Sequence, residues 1–200
     1  MLAKMLTKQF HNRKYTHISP QHQGRQTLIQ HNQRRILVDW ICELADIFKI
    51  SSTTIHKSVC YLDTVLTTQN IPSNQWQLLA IMCLFLSAKN IELDQKVPSI
   101  KHVYECCKAK YSHSLIKQWE NKLLAYLEWD LQVTTPIDIL HQFLIQGIIF
   151  PNDHVFNQTG QKKPPNLNIA AYIGKYADFF ADLTLQGKTS CFISFNFIRL

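Results

Sequence analysis

Residues 76–89, W-Q-L-L-A-I-M-C-L-F-L-S-A-K, limit what this chain can fold into more than any other stretch. Apolar residues fill nearly every position between 78 and 86, and Ile81 is the one β-branched residue among them. Leu, Ala and Met lose little side-chain freedom in a helix, so the stretch reads as helical. Its apolar character runs most of the way round the axis, which demands neighbours on most sides. A helix of roughly 14 residues spans about 21 Å, too short to cross a bilayer. Ser73 and Asn74 are candidate N-caps just before it. Lys89 suits the negative end of the helix dipole. The chain is expected to build a bundle around this helix.

The flanking sequence supplies the neighbours. Ile36, Leu37, Trp40, Ile41, Leu44, Ile47 and Phe48 recur at steps of one, three and four, a helical face. Ser51 and Ser52 then offer a cap for a second helix carrying Ile55, Val59, Leu62 and Leu66. The turn at Asn70-Ile71-Pro72-Ser73 ends it, because proline blocks continuation. Beyond the central helix, Pro98 and Ser99 open a short fourth helix with Ile100, Val103 and Tyr104. Ser112 or Ser114 caps a fifth, whose face is Leu115, Ile116, Trp119, Leu123, Leu124 and Leu127. Thr135-Pro136-Ile137-Asp138 is a strong start signal: a hydroxyl cap, proline at the first position, an acid in the first turn. The sixth helix so opened runs to about Ile148. A loop over residues 151–168 precedes a seventh with Ile169, Tyr172, Ile173, Tyr176, Phe179, Phe180 and Leu183. A short helix is also expected near residues 2–10. The class is all-α.

Composition narrows the function. With 46% hydrophobic and 18% charged residues the chain is globular. Five scattered glycines argue against a phosphate-cradling loop. The six cysteines form no C-x-x-C pair, and most lie in apolar helical patterns. Reduced thiols and a nuclear or cytoplasmic location are the expectation. The net charge of +7 sits in one place. Lys4, Lys8, Arg13, Lys14, Arg25, Arg34 and Arg35 precede the first acid, Asp39, and the remainder is balanced. A solvated lead-in explains that arm more simply than a nucleic-acid contact or a targeting signal. No catalytic constellation carries a local signature, so neither enzyme nor cofactor is expected. His102 and Cys106, an i, i+4 pair, lack the further ligands that a zinc site needs.

Several phrases, in order, resemble one family. Gln33-Arg34-Arg35-Ile36-Leu37-Val38-Asp39-Trp40 is similar to the opening of the cyclin box, and Tyr61-Leu62-Asp63 to the end of its second helix. Gln77-Leu78-Leu79 through Leu86-Ser87-Ala88-Lys89 resembles its central helix. Leu127-Glu128-Trp129-Asp130-Leu131 resembles its closing phrase, and Thr135-Pro136 the start of a second box. After the basic arm over 1–33, the resemblance implies a five-helix cyclin box over 34–132 around the central helix, and a partial second box over 133–200.

It also implies a cell-cycle regulatory subunit that binds and activates a cyclin-dependent kinase; a cyclin-fold scaffold or transcription-associated module is the alternative. Carried over by position, Arg34 and Asp63 form a polar tie between the first two helices, and Leu78 is a packing residue. Lys89 and Glu120 form a kinase-facing pair beside Asn90 and Glu92. Asn90 stands where the family commonly has an apolar Phe. A shallow groove for docking peptides maps to Gln33, Ile36, Leu37, Trp40 and Gln77, with Gln33 in place of the usual Met. Neither membrane nor nucleic acid is expected as a partner.

Overall fold

The computed structural model describes residues 26–107, 110–147, 154–156, 159–163 and 167–187. The helix expected near residues 2–10 lies outside them. The described chain is all-α: α1 (Gln26–Phe48), α2 (Ser52–Thr68), α3 (Trp76–Ile91), α4 (Ile100–Cys106), α5 (His113–Tyr126), α6 (Pro136–Gln146) and α7 (Leu167–Thr184). A two-residue antiparallel ladder pairs Val155 with Lys163 and Phe156 with Lys162. No helix among the described residues is long and apolar enough to cross a membrane.

Helix α3 is the axis. Each residue from Leu78 to Ala88 is buried, with α2, α1 and α5 packed around it. Such a helix has no polar face to turn toward water, so its sequence and its central position require one another. Polar groups at its flanks are paired. Ser87, buried, donates through Oγ to the Thr54 carbonyl at 2.9 Å, and Trp76 Nε1 donates to the Ile71 carbonyl at 2.8 Å. A short 3-10 turn, Ser73–Gln75, leads into α3, and no side chain caps its first turn.

The other boundaries follow capping chemistry. Ser99 Oγ accepts the His102 amide at 3.3 Å, while the Ser99 amide donates to His102 Nδ1 at 3.2 Å. That reciprocal pair fixes the start of α4 and gives His102 a capping duty. Ser112, not Ser114, caps α5 by accepting the Leu115 amide. At α6, both the amide and the hydroxyl of Thr135 donate to Asp138 Oδ2 at 2.8 Å.

Two details depart from expectation. Helix α1 begins at Gln26, ahead of where its apolar pattern sharpens, and its buried face is Leu37, Val38, Ile41, Leu44 and Ala45. Ile36 and Ile47 instead face solvent. Small Ala45 and slim Val38 allow a closer approach to α3 than two isoleucines would. The expectation of reduced cysteines holds for Cys42, Cys83, Cys106 and Cys107, which are free, whereas Cys60 is disulfide-bonded.

Candidate functional site

Lys89 lies in the last turn of α3, and Glu120 lies on α5. The amphipathic pattern of α5 buries Ile116, Trp119 and Leu123 against the core, which leaves Glu120 at the edge of the packed face. Helix α3 delivers Lys89 where its buried run stops. The two side chains, 31 residues apart in sequence, meet with Nζ donating to Oε1 at 2.6 Å. Lys89 is 41% exposed and Glu120 20%. The ammonium also stands 4.4 Å from the centroid of the Phe85 ring, one turn earlier on α3, a favourable cation–π placement. An ammonium carries three donors, and the Glu120 bond uses one. Anchored on two sides, this cation is held in one place.

Asn90 and Glu92 follow directly, with different surroundings. Asn90 is exposed and lies near the hydroxyl of buried Tyr61. The Tyr61 hydroxyl donates to the Leu131 carbonyl at 2.7 Å, joining α2 to the segment after α5. Glu92 is turned toward α2. Its Oε1 accepts from the Ser51 amide at 2.8 Å and from Ser51 Oγ and Thr54 Oγ1, each at 2.6 Å. Partial burial pushes its carboxyl up, but these hydrogen bonds outweigh that and hold it below its usual range. Glu92 therefore serves as a cap for the N-terminus of α2, where a negative charge is favoured.

Arg34 and Asp63 form a bidentate pair between α1 and α2, with Nε to Oδ1 at 2.6 Å and the second guanidinium nitrogen to Oδ2 at 2.9 Å. Both are buried. Arg34 reaches further than its sequence context announced: Nη1 donates to the carbonyls of Leu185 at 3.0 Å and Gly187 at 2.8 Å. One guanidinium thus ties the first two helices to the segment after α7. Leu78 is fully buried on α3.

Other groups fasten α7, and the residue sequence alone did not single them out. Asp182 Oδ1 accepts from Ser52 Oγ and from His56 Nε2, the latter at 3.1 Å. Burial pushes the His56 imidazolium pKa down, and the Asp182 hydrogen bond only partly offsets this. His141 on α6 meets Asp178 at 3.0 Å, and Gln186 donates to Asp39 Oδ1 at 2.7 Å. Leu185, fully buried, enters the core of the five-helix bundle.

The groove positions divide. Leu37 belongs to the core, Trp40 and Gln33 are half-buried, and Gln77 is exposed. Ile36 is 66% exposed. The apolar surface left among them is therefore Ile36 and one side of Trp40.

Comparison with known proteins bears on the family and the fold. A model of the cyclin N-terminal domain matches residues 2–132. Cyclin-D of Ostreococcus tauri is 32% identical over 111 residues, covering 56% of this chain and 30% of that protein. Cyclin-D2-2 of Oryza sativa subsp. japonica is 28% identical over 169 residues, covering 82% of this chain and 41% of that protein. The chain thus spans less than half the length of these curated relatives. Among solved structures, a viral cyclin from herpesvirus saimiri shares the fold with a TM-score of 0.67 at 15% identity, covering 92% of this chain and 71% of the viral one. From a family match that spans the whole five-helix bundle, it follows that this chain belongs to the cyclin family.

Proposed function

We propose that the chain is a non-catalytic regulatory subunit that binds a cyclin-dependent kinase and activates it in cell-cycle control. The observation that carries this reading is the Lys89–Glu120 pair. It joins the end of α3 to α5, is held at 2.6 Å, and keeps the ammonium partly open to solvent. An exposed ion pair adds only about 0–1 kcal/mol to a fold, so stability alone is a weak reason for such placement. As an interface element it is well made. A fixed ammonium and carboxylate can bond a partner's main chain whatever its side chains, and desolvation on docking strengthens those bonds. Asn90 adds a polar contact on the same edge, while Glu92 supports that edge from behind by capping α2. Among the described groove positions, docking peptides have the Ile36–Trp40 strip to seat on, and they are a minor part of this reading.

The test is reconstitution. Mixing the purified chain with an inactive cell-cycle cyclin-dependent kinase should give a stable complex and a large rise in phosphorylation of a histone peptide. A complex that forms without any rise in phosphorylation would instead assign the chain as a scaffold. Absence of a complex would remove the kinase reading altogether.

A further inference from the structure

The six cysteines of this chain, at 42, 60, 83, 106, 107 and 191, are not all in one state. Cys42, Cys83, Cys106 and Cys107 are free, and Cys60 is disulfide-bonded. A disulfide within the chain needs a second sulfur. Cys191, beyond the described residues, is the cysteine of the sequence left to supply it. This pairing is independent of the kinase reading.

The described fold brings the chain within reach of it. Cys60 lies on α2 between fully buried Val59 and Tyr61, and is itself 6% exposed. Asp63 follows three residues later, so the two share a face of the helix, about 4.5 Å apart along its axis. Asp63 is the carboxylate that Arg34 grips through two bonds. The same guanidinium donates to the carbonyls of Leu185 at 3.0 Å and Gly187 at 2.8 Å. The chain after α7 is thus tethered one turn from Cys60, up to Gly187, where the description ends. Cys191 comes four residues later, and four extended residues cover up to about 14 Å. Cys60 is also too deeply buried for a second copy of the chain to approach easily, whereas the tethered segment already lies beside it.

We infer that Cys60 and Cys191 form a redox latch that closes the segment after α7 onto α2. The oxidant is a small disulfide of the glutathione class. The Cys191 thiolate attacks one sulfur of oxidised glutathione and displaces a glutathione thiolate, which takes up the proton that Cys191 released. Cys60 then gives up its proton and attacks the Cys191 sulfur of the mixed disulfide, expelling the second glutathione, which takes that proton. Two protein thiols are oxidised to one disulfide, and one glutathione disulfide is reduced to two thiols. The covalent loop so closed, from 60 to 191, contains α3 to α7, and a loop of that length restricts the unfolded chain strongly. Reduction leaves the junction to Leu185 and to the polar bonds of Arg34, Ser52 and His56.

The test takes the full chain, equilibrated with oxidised glutathione or with dithiothreitol, blocked with iodoacetamide in urea, and digested for mass spectrometry without further reduction. The oxidised sample should yield a linked peptide pair containing Cys60 and Cys191, and the other four cysteines as alkylated thiols. Reduction should lower the melting temperature of the parent by about 5–15 °C. Cys191→Ser should melt at the reduced parent's temperature under both conditions. Cys60 recovered as an alkylated thiol after oxidation, or linked to a different cysteine or to a second chain, overturns the pairing. A Cys60–Cys191 link whose reduction leaves the melting temperature unchanged overturns the latch. Should Cys191→Ser fail to fold, the peptide map and the melting shift of the parent decide by themselves.

Discussion

Helices α3 and α7 are both rich in apolar residues, yet they end in opposite situations. Every side chain from Leu78 to Ala88 on α3 is buried, because α1, α2 and α5 surround it. On α7, Tyr172, Tyr176, Phe179, Phe180 and Leu183 remain exposed. Two of these, Tyr172 and Tyr176, satisfy their hydroxyls on one another at 2.9 Å. The difference teaches that an apolar face is only a demand for neighbours; topology decides whether the demand is met. Where it is met, area burial holds the element, at about 1.5–3 kcal/mol per large side chain. Where it is not, α7 and the segment after it are held by a polar seam to Arg34, Ser52, His56 and His141, with Leu185 as an apolar plug.

The sharpest way to break this contrast is to cut the joint between the two regions. Arg34→Ala removes the bidentate donor of the buried Asp63 carboxylate and its hydrogen bonds to the carbonyls of Leu185 and Gly187. A loss of about 3–5 kcal/mol is expected, as when one partner of a buried ion pair is removed, read from urea unfolding. Next in size is Leu78→Ala, which leaves a cavity on the fully enclosed helix and should cost about 2–5 kcal/mol. If it unfolded at the parent's urea midpoint, α3 would not be the axis of the bundle.

A smaller effect is expected from pH. Burial lowers the His56 pKa in the folded chain, so the unfolded chain binds that proton first as pH falls. The contribution is whole above the ordinary histidine value of about 6.5 and is lost below it, down to the depressed folded value. Asp182 and Asp138 oppose the shift, while His141 reinforces it. Unfolding at a series of pH values should show stability declining below about 6.5, with a shallower decline in His56→Gln. An equal slope in the variant would remove His56 as the cause. The smallest change is reserved for the exposed face. Phe180→Ser removes as much apolar surface as a core truncation, yet should shift stability by no more than about 0.5 kcal/mol. A core-sized loss there would mean that the face is covered in solution.

Much of the bundle was legible from sequence for local reasons. The all-round apolar run named α3, and Ser99, Ser112 and Thr135-Pro136 with Asp138 marked helix starts through short-range hydrogen bonds. Lys89 and Glu120 were legible only through the order of the family phrases, since nothing local connects residues 31 apart. Other contacts left no trace to read. The acceptors that Arg34 uses on Leu185 and Gly187 are main-chain carbonyls, which every residue has. Glu92 turns back to cap α2 because Ser51 and Thr54 stand across a tertiary contact, 41 and 38 residues away. Likewise the choice of Val38 and Ala45 over Ile36 and Ile47 for the inner face of α1 depends on fit against α3, which hydrophobicity alone does not rank.

The central claim is that Lys89 and Glu120 form an interface element, not a structural strut, and Lys89→Glu examines it directly. The substitution sets two carboxylates side by side on a partly exposed surface and removes the donor of the proposed interface. The account predicts a melting temperature close to the parent's, because an exposed pair is worth at most about 1 kcal/mol, together with a sharp fall in affinity for the kinase. Global unfolding of the variant, or kinase binding undiminished from the parent, would contradict it.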